Sequence, residues 1–145
     1  MGLEETVARC RGFAGAAASI VADLRSTSAQ DALVEQAWAW TSSVDIWVNN
    51  AGRDNTKVPF FMLPPDDYAR TINTNLTGLM NCNRVAIPGM YKQGAGMIWN
   101  MEGFGSNGAV RPTIAPYGAT KYAVRYFTKA MIQELKKTPV KVGYL

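Results

Sequence analysis

Histidine is absent from these 145 residues. That excludes Ser-His-Asp and Cys-His nucleophiles and every histidine metal site. Cysteine is scarce. Cys10 and Cys82 cannot form a four-thiolate zinc centre or a disulfide scaffold. They read as reduced, mostly buried thiols in an intracellular compartment, and no metal is expected. No apolar run is long enough to span a bilayer, since Val58 to Leu63 is short and proline-bounded. The start carries Glu4 and Glu5 and no apolar signal core, so no targeting segment is expected. Clustered basic charge is also lacking. The net charge is +4, and only Lys136, Lys137 and Lys141 lie close together. A nucleic-acid partner is therefore not expected.

What is present is a globular composition, 48% hydrophobic and 18% charged. That is one domain over residues 1–145, too short for two ordinary ones. Leu3 to Phe13 reads as an amphipathic helix with Leu3, Val7 and Cys10 on one face. Ala18 to Asp23 is a short β-branched run and reads as a buried strand. Ser28 to Thr41 reads as a helix with a capping-box-like start. Val44 to Asn50 is a second strand, and Arg53 to Pro65 a loop. Pro65 opens a long helix with Pro88 and Gly89 near its end. Ala95 to Met101 is a third strand, followed by a glycine-rich loop. Tyr117 to Lys137 is another long helix, and Val140 to Leu145 a fourth strand. This alternation predicts an α/β fold, a parallel sheet with helices on both faces.

Tyr117 and Lys121 lie four residues apart at a helix start and project from the same face. A phenol ionises near pH 10, and an adjacent ammonium would pull that value toward neutrality. Asn49-Asn50-Ala51-Gly52 ends a strand at its carboxyl end, where open α/β sheets bind ligands. Asn75 and Gly78 are poor helix formers inside a long helix, which points to a bent or functionally used segment.

Together Asp23, Asn49-Asn50-Ala51-Gly52, Asn75-x-x-Gly78 and Tyr117-x-x-x-Lys121 resemble the short-chain dehydrogenase/reductase family, in order and spacing, over nearly the whole chain. The resemblance implies a Rossmann-like domain using NADP or NAD, with NADPH favoured. It implies that Asp23 lies beside the adenine, and that Asn49, Ala51 and Gly52 line the adenosine side. Asn75 would hold a water in a proton relay. Tyr117 would protonate a substrate carbonyl, while Lys121 binds the nicotinamide ribose and lowers the Tyr117 pKa. In most of the family a Ser-Ser pair follows the third of these strands. Here Glu102-Gly103 stands there, and Ser106 is the nearest hydroxyl, the candidate for orienting the carbonyl. Asn100 to Ser106 resembles the chlorophyll(ide) b reductase branch, which implies a formyl tetrapyrrole substrate and a chloroplast; without that branch the compartment reads as cytoplasmic. Val58 to Leu63, Trp99 and Phe104 would suit such a flat apolar substrate.

The family's glycine-rich pyrophosphate turn has no counterpart before Ala18. The chain supplies counterparts of the family's third to sixth strands only. The expected sheet is thus a truncated doubly wound one: a three-stranded parallel core, with Val44 to Asn50 as an open edge and Ala18 to Asp23 displaced from it. Weak dinucleotide binding follows. The alternative is a catalytically impaired family member that at most associates with a partner. In the family the helices here at Asp66 to Met90 and Tyr117 to Lys137 commonly form a homodimer interface.

Overall fold

The computed structural model describes residues 2–13 and 15–145. Helix α1 spans Leu3–Arg11 and α2 Thr27–Thr41. Strand β1 is Ile46–Asn49. A single 3-10 turn, Phe60–Met62, precedes α3, Pro65–Ile72. A π-helical turn at Asn73–Gly78 joins α3 to α4, Leu79–Gln93. Strand β2, Gly96–Asn100, leads to α5, Ala115–Glu134, and β3 is Val140–Tyr144.

The three strands lie parallel in the order β1-β2-β3, with Asn49 level with Asn100 and Asn100 level with Tyr144. The core is built on one face of this sheet. Ala86 and Met90 of α4 pack on Ile98, Val140 and Val142, with Leu135 closing one side. On the other face Ile46 and Val48 are exposed and Met97 and Trp99 half-buried. Helices on both faces were expected, and here α4 and α5 pack on one. The reason is topological. Parallel crossovers are right-handed, and two successive crossovers stepping in the same direction put both helices on the same side.

Ala18 to Asp23 is not a strand. Residues 16–23 carry no regular structure, and Val21 is 89% exposed. A strand is completed by a hydrogen-bonded neighbour, and among the described residues this run has none beside it. The run ends against the π-turn instead: a Cβ on Gly78 would come within 2.7 Å of the Leu24 carbonyl oxygen. The buried Gln30 amide donates to both that carbonyl and the Gly78 carbonyl. Helix α1 forms but buries none of its residues, and Cys10 is exposed rather than buried. Cys82 is buried, and burial pushes its thiol pKa up to about 11. Pro88 sits inside α4, which runs on to Gly94, where a φ of 80° closes it. Gly89 leaves room for the Trp38 ring, 2.7 Å from where a Cβ would stand, so α2 packs closely on α4.

Four side chains knit the buried layer beneath the strand ends. Asn100 Oδ1 accepts from Asn49 Nδ2 at 2.9 Å and from Asn83 Nδ2 at 3.0 Å. Asn100 Nδ2 donates to Thr128 Oγ1 at 3.0 Å. Strands β1 and β2 are thereby tied to α4 and α5, the second of which carries part of the candidate site.

Candidate active site

The site lies at the carboxyl ends of β1 and β2, against the first turns of α5. Tyr117 is the third residue of that helix. Its N-cap residue, Ile114, has no side-chain acceptor for the free N–H groups of the first turn. Asn55, buried in the loop after β1, does that work from outside the helix. Its Oδ1 accepts from the Tyr117 N–H at 3.3 Å, and its Nδ2 donates to the Thr113 carbonyl at 2.8 Å. Thr113 stands at φ 69°, a left-handed conformation that a β-branched residue adopts only when its surroundings impose it. Asn55 therefore both caps α5 at Tyr117 and pins the strained turn ahead of it. Sequence reading missed it because a remote cap has no local spacing signal.

Lys121 follows one turn later and is buried. Its Nζ donates to the Met101 carbonyl at 3.0 Å and stands 5.8 Å from the centre of the Tyr117 ring. Asn75 reaches the same place from the π-turn. Its Nδ2 donates to the Arg53 carbonyl at 2.9 Å and to Thr120 Oγ1 at 3.2 Å, and its Oδ1 accepts from the Arg53 N–H at 2.8 Å. The π-turn is the bend that Asn75 and Gly78 forecast. Gly52 lies between these groups: a Cβ there would be 3.5 Å from Asn75 Oδ1 and 3.8 Å from Lys121 Nζ. Tyr117, Lys121, Asn75 and Gly52 thus converge. Ala51 is exposed beside them, and Asn49 is buried at the end of β1.

Ser106 is placed differently. It is buried, and its Oγ donates to Glu102 Oε2 at 3.0 Å, beside Arg125 at 3.4 Å from the same oxygen. The backbone that abuts the Tyr117 hydroxyl belongs to Gly103, where a Cβ would overlap the phenol oxygen. Asp23 is held by Arg25, whose Nη2 lies 2.6 Å from Oδ2, and that partnership lowers its carboxyl pKa to about 2. It opens onto a separate surface hollow with Asp66, Arg70 and Asn73. Trp99 packs on Gly143 within the sheet, and Phe60, Phe61 and Met62 are exposed.

The electrostatics differ from the sequence expectation. Burial, and then the negative charge of Asp54, raise the Tyr117 pKa. Burial lowers that of Lys121, opposed by Glu102. The ammonium therefore does not draw the phenol down in this structure. A phenol with a raised pKa stays protonated at neutral pH, which is the form a proton donor needs.

Residues 2–145 match the family model described as short chain dehydrogenase. The chain belongs to that family. A chloroplastic chlorophyll(ide) b reductase of Oryza sativa subsp. japonica is 39% identical over 123 residues, 83% of this chain and 36% of its own length. A gluconate 5-dehydrogenase from Burkholderia cenocepacia, solved with NADP and tartrate, is 32% identical with a TM-score of 0.88, covering 97% of this chain and 54% of its own. NAD-bound xylitol dehydrogenase is 27% identical with a TM-score of 0.92, covering 98% and 54%. The chain spans between 20% and 36% of the length of the two rice chlorophyll(ide) b reductases it matches.

The residues present fit the nicotinamide-ribose side of a dinucleotide. Lys121 has three N–H donors and gives one to Met101 among the described residues. The side-chain-free Gly52 opens the space before it.

Proposed function

We propose that this short chain dehydrogenase reduces a carbonyl with a nicotinamide dinucleotide, NADPH in the first instance, and that the carbonyl is the formyl group of a chlorophyll(ide) b-type tetrapyrrole. The observation that carries the reading is that the buried Lys121 ammonium meets the Asn75 amide at Gly52 and stands 5.8 Å from the Tyr117 ring. When bound, the nicotinamide supplies two electrons and one hydrogen to the formyl carbon.

Tyr117 donates its phenolic proton to the carbonyl oxygen, so the formyl group becomes a hydroxymethyl group. Its raised pKa keeps that proton in place until the oxygen gains charge. Lys121 holds the ribose hydroxyls with the donors not given to Met101. Asn75 holds a water through which the proton on Tyr117 is replaced. Ala51 lines the adenosine side with Asn49 beneath it at the end of β1, Gly52 leaves room for the ribose at Lys121, and Asp23 lies at the adenine. Ser106 can orient the carbonyl only by exchanging its Glu102 hydrogen bond. With a tetrapyrrole substrate goes the chloroplast as the compartment, which is also that of the rice relative.

The test is to mix the purified chain with NADPH and chlorophyllide b. One NADPH should be oxidised for each formyl group converted to hydroxymethyl, with the carbonyl band lost. Reduction of small aldehydes without any conversion of the tetrapyrrole would defeat the substrate assignment while leaving the chemistry.

A further inference from the structure

The loop after β2 carries Gly103, Gly105 and Gly108, and they are glycines for different reasons. Gly105 and Gly108 stand at φ 97° and 89°, left-handed conformations in which a side chain is strained. Gly103 does not stand in that region, so its backbone conformation does not call for glycine. The obstacle at Gly103 is a neighbour. A Cβ there would overlap the Tyr117 hydroxyl oxygen, and the next atoms it would meet are Lys121 Cε at 3.2 Å and Cδ at 3.3 Å. The bare Cα is the surface against which the phenol rests.

Both backbones are tied down. The Met101 N–H donates to the Asn49 carbonyl at 3.0 Å and the Glu102 N–H to the Leu145 carbonyl at 2.8 Å, while the Gly103 carbonyl accepts from the Ser106 N–H at 3.1 Å. Across from them, Asn55 accepts from the Tyr117 N–H, and the Lys121 ammonium donates to the Met101 carbonyl. The piece left to swing is the half-buried Tyr117 ring, about its own side-chain torsions. An added Cβ is therefore absorbed by displacing the phenol, which disturbs the fold little and takes the hydroxyl from its place.

We propose that Gly103 is a positioning residue: its missing side chain seats the Tyr117 hydroxyl at the end of β2, beside the Lys121 stem, and a β-carbon there pushes the proton donor out of line with the substrate carbonyl. This rests on Tyr117 as the proton donor in the reading above. Gly103 acts through the phenol alone.

The test is a double-mutant cycle between Gly103→Ala and Tyr117→Phe in the full chain, read in two ways. The first needs no turnover. In protein grown with ring-labelled tyrosine, the NMR signal of Tyr117 is the one lost in Tyr117→Phe, and Gly103→Ala should move it. An unmoved signal in the folded variant would overturn the seat. The second is carbonyl reduction. Gly103→Ala should lower kcat about 10²-fold, as a misplaced reacting group does, with the KM for the dinucleotide held within about twofold. In the Tyr117→Phe background the oxygen that the new carbon would strike is gone, so the same substitution should change the residual rate by less than about twofold. Equal losses in the two backgrounds would make Gly103 a structural residue only and overturn the proposal, as would an undiminished kcat with a moved signal. Should Gly103→Ala unfold the chain, adding Tyr117→Phe should restore it, and a double variant that stays unfolded overturns the proposal. An unaltered chain that reduces no carbonyl removes the proton-donor reading and the positioning role with it, while the NMR signal still decides whether Gly103 seats the phenol.

Discussion

Two short apolar runs, Ile20-Val21-Ala22-Asp23 and Ile46-Trp47-Val48-Asn49, have nearly the same character in sequence and opposite fates in the fold. The second is an ordered strand with β2 beside it and α4 across one face. The first is irregular chain, with Val21 in solvent and Leu24 pinned by a glutamine. What separates them is a neighbour, since strand propensity reports mainly how a side chain fits a half-buried, already paired surface. The contrast extends to the site. Tyr117, Lys121 and Asn75 are fixed by packed elements, whereas Asp23 is fixed by one exposed ion pair.

The sharpest way to break that comparison is to remove one functional group from each region. Tyr117→Phe deletes the proposed proton donor and little else, because its half-buried ring remains. Carbonyl reduction should fall about 10²- to 10⁴-fold, the range of a general acid, with an unchanged circular dichroism spectrum. Asp23→Asn should leave kcat unaltered and raise the KM for the dinucleotide only. Undiminished turnover in Tyr117→Phe would remove the catalytic assignment, and a collapse of kcat in Asp23→Asn would show that the irregular segment is part of the reacting centre.

The same contrast has a version in stability. Asn100 is wholly buried and serves Asn49, Asn83 and Thr128 together. Asn100→Ala would strand their polar groups away from water, a loss of about 3 kcal/mol. Val21→Ser, in the other run, should change nothing measurable. Urea midpoints at constant slope would compare them. Equal midpoints for Asn100→Ala and the unaltered chain would mean that the amide network is not what holds β1 and β2 to the helices.

How much of this was legible in the residues follows from range. The spacing from Tyr117 to Lys121 placed both on one helical face, and poor helix formers at Asn75 and Gly78 marked the π-turn, because those signals lie within a single turn. Three parallel strands, an open β1 edge and a displaced Ala18 to Asp23 followed from the motif order. Three features did not. The one-sided packing of helices depends on the direction of successive crossovers, which residue patterns do not carry. The cap that Asn55 gives Tyr117 joins residues 62 positions apart. The rise in the Tyr117 pKa depends on burial and on Asp54, neither of which a four-residue spacing contains.

That last point gives the smallest effect and the finest test. Asp54 stands in the loop after β1, partly exposed and 3.5 Å from Lys57, and its charge adds to burial in raising the Tyr117 pKa. In the proposed reduction the phenol reacts in its protonated form, so rate should be lost on the alkaline side as the phenol ionises. Removing the negative charge in Asp54→Asn makes the phenolate less unfavourable, and the alkaline limb should move to lower pH. The acid side of the profile and the rate at its plateau should stay where they were, since Asp54 touches neither the proton nor Lys121. A buried phenol governed by desolvation alone would give superimposable profiles for the two proteins. A rate that rises with pH through an acid limb set by the phenol, with that limb moving to lower pH in Asp54→Asn, would mean that Tyr117 works as the phenolate.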